Sequence, residues 1–233
     1  MLFRSGALHF HGTAGVHDPG ALSQAYLDLF LARGGRFVEG DARTLAADAN
    51  GWCVDSVTGP VLARDVVVAL GPWSDLIFRP LGYAIPLGVK RGYHMHYALA
   101  EGVSLNHPTL DADTGYLLAP MARGVRLTTG AEFARRDAPS TPVQLEKCEP
   151  VARALLPGLR ERLDPAPWRG ARPCLPDMLP VIGAAPRHRG LWFDFGHAHH
   201  GLTLGPATGR LLAELMVGET LYLDPRPYRP DRF

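Results

Sequence analysis

No two glycines in the sequence are separated by a single residue, so neither the G-x-G-x-x-G turn nor a P-loop occurs in it. The G-x-S-x-G elbow of serine esterases is missing as well. Cysteine is scarce. Cys53, Cys148 and Cys174 are widely spaced and form no C-x-x-C pair, which argues against a disulfide framework or a thiolate zinc site and predicts buried, reduced thiols. No sign of charge dominates: 24 Lys and Arg stand against 23 Asp and Glu, the formal net charge is +1, and the basic residues are scattered. That pattern gives no footprint for nucleic acid and no polybasic membrane patch. Long apolar runs are missing too. The longest is Val66-Val67-Val68-Ala69-Leu70, against the roughly 20 residues of a membrane helix, and the first residues hold no signal-peptide core. The expectation is a cytoplasmic protein with small-molecule partners, no nucleic acid and no transmembrane segment.

What is present, 46% hydrophobic residues in a chain of 233, is enough to bury a sizeable core in one large or two small domains. Residues 18–35 carry helix punctuation: Asp18 can cap, Pro19 suits the first helical position, and Gly34-Gly35 ends it, with Leu22, Tyr26, Leu29 and Phe30 on one apolar face. Short alternating runs follow at 36–38, 42–47 and 52–57, with Asn50-Gly51 as a hairpin turn. The run 66–70, ending at Gly71-Pro72, predicts a strand buried on both faces in the middle of a sheet. Residues 87–97 and 116–133 predict antiparallel strands, the latter a hairpin turning near Arg123-Gly124. Thr141 as cap and Pro142 as first residue predict a helix closed by Leu156-Pro157-Gly158. A strand at 191–195, a Gly- and His-rich turn and an amphipathic helix over 204–217 complete the chain. The pattern is α+β, with the two ends forming one domain and the middle another.

Three stretches can carry chemistry. In Phe195-Gly196-His197-Ala198-His199-His200-Gly201-Leu202-Thr203, a glycine-bounded turn feeds a helix. Free backbone N–H groups at a helix start favour an anionic or electron-rich ligand edge, and glycine lets a flat ring approach the backbone. A plain strand-to-helix turn with solvated histidines fits the spacing equally. Metal binding is the other alternative, because His197, His199 and His200 cluster and His9/His11 and His94/His96 pair on strand faces. No carboxylate stands at ligand spacing and no H-E-x-x-H occurs, which counts against zinc. In the second stretch, Arg172 lies in a proline-framed segment, either to pair with Asp177 or to take a substrate carboxylate through two parallel hydrogen bonds. In the third, Tyr116 is either a packed aromatic or a second substrate contact.

Taken together, these stretches resemble the FAD-dependent D-amino-acid oxidase and dehydrogenase family, which includes glycine and sarcosine oxidases, with the closest look to bacterial D-amino-acid dehydrogenases. Arg172-Pro173, Pro176-Asp177 and Leu179-Pro180-Val181-Ile182-Gly183 resemble its R-P-x-x-P-D-x-x-P-x-I-G segment. Gly196-His197 with Gly201-Leu202-Thr203 resembles its G-H-x-x-G-x-T turn, and residues 67–74 resemble its V-V-x-A-x-G-x-W-S segment. Asp18-Pro19 and Arg91-Gly92-Tyr93-His94 add to the likeness, which spans essentially the whole chain. The chain departs where Leu175 replaces a common Thr, Met178 a common Gly or Ser, and Ala198 a common Gly. It also lacks the family's initial β-α-β unit with G-x-G-x-x-G, which seats the FAD pyrophosphate.

The resemblance implies an incomplete FAD/NAD(P)-binding fold: an α/β FAD-binding portion at 1–85 and 173–233, with a substrate strand returning in the first, and a mainly antiparallel substrate-binding domain at 86–172. It implies oxidation of the C–N bond of an amino or imino acid by hydride transfer to flavin, an imine then hydrolysing to a 2-oxo acid. Arg172 would clamp the substrate carboxylate, Tyr116 would be a second contact, and His94 would line the pocket. Gly196, His197, Ala198, His199, His200, Gly201, Leu202 and Thr203 would lie against the flavin ring, and Ala69 and Gly71 nearer the ADP half. A truncated reading frame or a split enzyme completed by a separate chain is expected; the rivals are an inactive or regulatory amino-acid-binding fragment and a histidine-rich metal enzyme.

Overall fold

The computed structural model describes residues 6, 8–12 and 14–233. Helix α1 (Pro19–Ala32) starts as its punctuation predicts: the Asp18 carboxylate accepts a 2.9 Å hydrogen bond from the Ala21 N–H. None of its side chains is buried, and its apolar face lies open at Tyr26, Leu29 and Phe30. Strands β1 (Gly40–Asp48), β2 (Gly51–Ser56) and β3 (Gly59–Ala63) form a small antiparallel sheet around the Asn50-Gly51 turn, whereas residues 36–38 join no strand.

Strand β4 (Val66–Val68) corrects an expectation. It pairs in parallel with β12 (Leu191–Phe195), which pairs antiparallel with β11 (Val181–Ala184). The order β11-β12-β4 leaves β4 at the edge, and Val67 is 38% exposed. Burial on both faces needs a neighbour on each side, and among the described residues β4 has only one. A 3-10 turn (Gly71–Trp73) and a short helix α2 (Asp75–Phe78) follow. The rings of Phe78 and Phe195 stack 5.3 Å apart in the core beneath this sheet, each fully buried. Burial of one such ring contributes about 2–3 kcal/mol.

The largest sheet is antiparallel: β5 (Gly88–Leu99), β6 (Thr109–Asp111), β7 (Tyr116–Met121), β8 (Gly124–Thr129), β9 (Leu159–Arg162) and β10 (Trp168–Cys174), in the order β10-β5-β8-β7-β6 with β9 also pairing β5. One face is covered by α3 (Val143–Leu155), whose Leu145, Cys148 and Ala152 pack on Met95, Tyr97, Tyr116, Leu118 and Leu127. Side chains alternate along a strand, so Arg91, Tyr93, Met95 and Tyr97 share that face while Gly92, His94 and His96 share the other. Thr141 does not cap α3. Pro142 takes the cap position, and the Thr141 hydroxyl hydrogen-bonds Glu132 instead.

Helix α4 (Gly201–Val217) begins three residues before the expected 204, ends at Gly218 in the left-handed region (φ 74°), and packs Leu211 and Leu212 against Ile182. Cys53, Cys148 and Cys174 are free thiols, Cys53 half-buried and the others buried. Among the described residues, no helix is long and apolar enough to cross a membrane.

Candidate functional site

The register of β10 against β5 assembles the first part of the site. Arg172 pairs with Lys90, Gly170 with Gly92 and Trp168 with His94, all on the sheet face away from α3. Gly92 and Gly170 carry no side chain, and a neighbouring side chain fills the space above each. A Cβ on Gly92 would stand 2.3 Å from Arg172 Nη2, and a Cβ on Gly170 would stand 2.4 Å from the six-membered ring of Trp168. Guanidinium and indole therefore both rest on the paired glycines, where any side chain would displace them.

Arg172 is held only loosely by the protein. Its Nη1 and Nη2 donate to the carbonyls of Gly130 and Thr129 at 3.3 and 3.5 Å, and it forms no ion pair among the described residues. Asp177, the partner the sequence offers, is taken by Arg232 at 2.9 Å. The fork of Arg172 thus keeps its capacity for a planar, bidentate carboxylate.

The turn between β12 and α4 is tied to this patch: the Ala198 N–H donates 2.8 Å to the carbonyl of Pro173, the residue after Arg172. His199 lies in the same neighbourhood, since its imidazole is held below the usual histidine range by burial first, and then by His200, Arg172 and Lys90. His200 takes the cap position of α4 without a side-chain bond, and Gly201, Leu202 and Thr203 are exposed. The helix therefore presents uncapped N–H groups and its positive dipole end at the turn. Gly196 (φ 91°) packs against Leu175, where a Cβ would come within 2.7 Å.

His197 turns inward. Its Nε2 lies 3.0 Å from Thr208 Oγ1 and 3.2 Å from Asp194 Oδ1, which latches β12 to α4; only its backbone is left for the turn. Tyr116 is not brought to Arg172. It lies on the α3 face, 1% exposed, with its hydroxyl buried and unpartnered and its acidity weakened by burial and by Asp111. His94 is on the Arg172 face and stacks on Trp168 at 4.6 Å and 20°. Burial, helped by Arg126 and His96, lowers its pKa to about 4, so the ring is neutral near pH 7. Ala69 is exposed just beyond β4, and Gly71 adopts φ 53° with open space where a Cβ would be. His9 and His11 lie 4.4 Å apart but in no strand, and no group of three or more His, Cys, Asp or Glu able to hold a metal occurs among the described residues.

Arg91 and Glu132 support the patch from the other face. Arg91 is 2% exposed; its Nε donates 2.7 Å to Glu132, and its remaining nitrogens reach the carbonyls of Ala138 and Pro139. The Arg91 bond, with help from Thr141 and Tyr93, holds the Glu132 carboxyl down to about 2 against the opposing effect of burial. Sequence reasoning missed Trp168 and Lys90. The available signal was the alternation Trp168-x-Gly170-x-Arg172 and Lys90-x-Gly92-x-His94, which becomes a shared face only when the strands pair.

Residues 3–215 match the family described as FAD dependent oxidoreductase. The chain belongs to that family. Glycine oxidase of Pseudomonas putida is 33% identical over 76% of the chain and 48% of its own length. D-amino acid dehydrogenase 2 of Mesorhizobium japonicum is 34% identical over 72% of the chain and 40% of its own length. The crystal structure of L-proline dehydrogenase from P. horikoshii shares the fold, with a TM-score of 0.76, 22% identity, and coverage of 93% of this chain and 60% of that one. The chain thus spans about half the length of the curated relatives it matches. Met178 (φ 59°) and Ala198 (φ 52°), two of the departures from the resemblance, are the two non-glycine residues at positive φ among those described.

Proposed function

We propose that this chain provides the substrate and flavin-ring ends of an FAD-dependent enzyme that oxidises the C–N bond of an amino or imino acid. The observation that carries the reading is the Arg172 fork, without a carboxylate partner among the described residues, joined through the Ala198–Pro173 hydrogen bond to the uncapped start of α4. When bound, the flavin supplies the two-electron acceptor for hydride leaving the substrate. Arg172 binds and orients the carboxylate, Gly92 and Gly170 let its guanidinium and the Trp168 ring lie close to the sheet, and neutral His94 lines the pocket.

The residues present fit one end of FAD. The turn 196–203, with Gly196, Ala198, His199, His200, Gly201, Leu202, Thr203 and the backbone of His197, offers N–H groups to an electron-rich ring edge. Ala69 and Gly71, at the end of β4, suit the ADP side. The pyrophosphate seat is not in this sequence. We propose that a β-α-β unit with G-x-G-x-x-G completes it, as part of the same polypeptide or as a separate chain. In this scheme residues 1–85 and 173–233 build the FAD-binding portion and residues 86–172 the substrate portion, supported by the parallel pairing of β4 with β12. Cytoplasmic residence belongs to the proposal and draws support from the three free thiols. A regulatory amino-acid-binding fragment is the second reading, since the Arg172 fork can hold a carboxylate without a flavin.

Reconstitution decides between them. The chain, joined or mixed with the completing unit, is expected to bind FAD with visible flavin bands that bleach on adding its amino acid; Arg172→Lys should weaken substrate far more than flavin. A protein that takes up no FAD in either form sinks the oxidoreductase reading. An Arg172→Lys enzyme with unchanged KM and kcat sinks the clamp.

A further inference from the structure

We propose that Trp168 and His94 form the side-chain subsite of this site and select amino acids with a flat or bulky apolar side chain over glycine-like ones. The inference rests on Arg172 as the carboxylate clamp. Gly92 and Gly170 are direct partners across an antiparallel pair, so their Cα atoms lie about 5 Å apart. The Arg172 guanidinium stands over one and the Trp168 ring over the other. That spacing is of the same order as the distance from the carboxylate to the side chain within one α-amino acid. A substrate whose carboxylate is held by the Arg172 fork lies over these two groups and sets its side chain against the indole.

The chemistry of the wall favours apolar groups. Trp168 is 57% exposed, so its ring has area to cover, and His94 stacks on it as an uncharged imidazole. Ring-on-ring contact in offset or edge geometry adds to area burial. Arg126 lies close enough to His94 for its charge to help depress the imidazole. Lys90 stands beside Arg172 as its register partner, its ammonium 5.5 Å over the Phe133 ring, and His96 is hydrogen-bonded to Asp164 at 2.8 Å. Glycine leaves the indole uncovered.

The test uses the flavin-bearing protein with phenylacetate and acetate as probes, both carboxylates differing only in the ring. Calorimetry is expected to give phenylacetate at least about 10-fold tighter binding, the gain from covering an aromatic ring. Trp168→Ala should collapse that ratio towards one, and Trp168→Phe should keep most of it. The kcat/KM ratio of phenylalanine to glycine should move in parallel, in the enantiomer the enzyme accepts. Trp168 is on an edge strand and largely exposed, so both variants should melt close to the parent. Equal affinity for both probes in the parent, or a ratio untouched by Trp168→Ala, overturns the subsite while leaving the clamp standing. If neither probe binds, or Arg172→Lys weakens neither, the clamp fails and the subsite with it.

Discussion

Gly92→Ala isolates the contact on which the site geometry depends. The added Cβ would stand 2.3 Å from Arg172 Nη2 and 2.7 Å from its Cζ, so the guanidinium has to rise by about 1 Å to reach van der Waals contact. A fork lifted that far loses the alignment of one of its two parallel hydrogen bonds to a carboxylate, a charge-assisted bond of about 1.5–3 kcal/mol. Substrate KM and carboxylate Kd should rise about 10- to 100-fold. The fold should not suffer. Gly92 is not at positive φ, the displaced atoms are the end of a flexible side chain, and replacing Gly by Ala stabilises by about 0.4–1 kcal/mol through the unfolded chain. Calorimetry with acetate, steady-state kinetics and a thermal melt give the three readings. A KM and Kd within twofold of the parent in a protein that melts normally would refute the placement of Arg172 on the glycine floor as the carboxylate clamp.

Other variants probe what supports that floor. Glu132→Gln leaves Arg91 buried without its counter-charge, a loss of about 3 kcal/mol that should lower Tm by roughly 10 °C; a fall below about 2 °C would show that the pair is not structural. Because the Glu132 carboxyl is held at about 2 rather than 4.5, its contribution is complete above pH 4.5 and fades as the pH falls towards 2. Acid melts of the parent should therefore lose stability across that window, and Glu132→Gln should lose less; identical pH profiles would contradict the assignment. Ala198→Val places a β-branched side chain at φ 52° and should cost about 2 kcal/mol, whereas Ala198→Gly should not lower Tm. Equal melting of the two variants would show that the turn does not hold that conformation.

Local punctuation was legible in the sequence because it acts over a few residues. Asp18-Pro19 starts α1, Asn50-Gly51 turns β1 into β2, and glycines flank the turn into α4. Faces and edges were not. Tyr116-Leu117-Leu118-Ala119 is apolar on both sides, so period two gives it no direction, and only packing against Leu145 and Cys148 of α3 decides that Tyr116 points away from Arg172. Val66-Val67-Val68 has the composition of a central strand, yet a strand is central only if something pairs with its second edge. His197 sits in the expected turn, but Asp194 and Thr208 draw its ring inward. The glycine floor exists only through the pairing of β10 with β5, two segments far apart in the chain.

The electrostatics of the patch say what class of ligand completes it. Arg172 and Lys90 are register partners on one face, and the depressed His199 records both charges. The uncapped start of α4 adds a partial positive charge close by, through the turn hydrogen-bonded to Pro173. Like charges sharing one face repel, by about 1 kcal/mol at 4 Å in bulk water and by several times that where water is partly excluded. Among the described residues no carboxylate pairs with Arg172, and Asp177, the nearest in sequence, is committed to Arg232. A neutral ligand would leave that repulsion in place and would bury it further on binding. An anion offsets it, and gains most when it can bridge the planar fork with two oxygens. The convergence of positive charge therefore favours a carboxylate on this face independently of any likeness in sequence, and the two glycines set how close to the sheet the fork that takes it can lie.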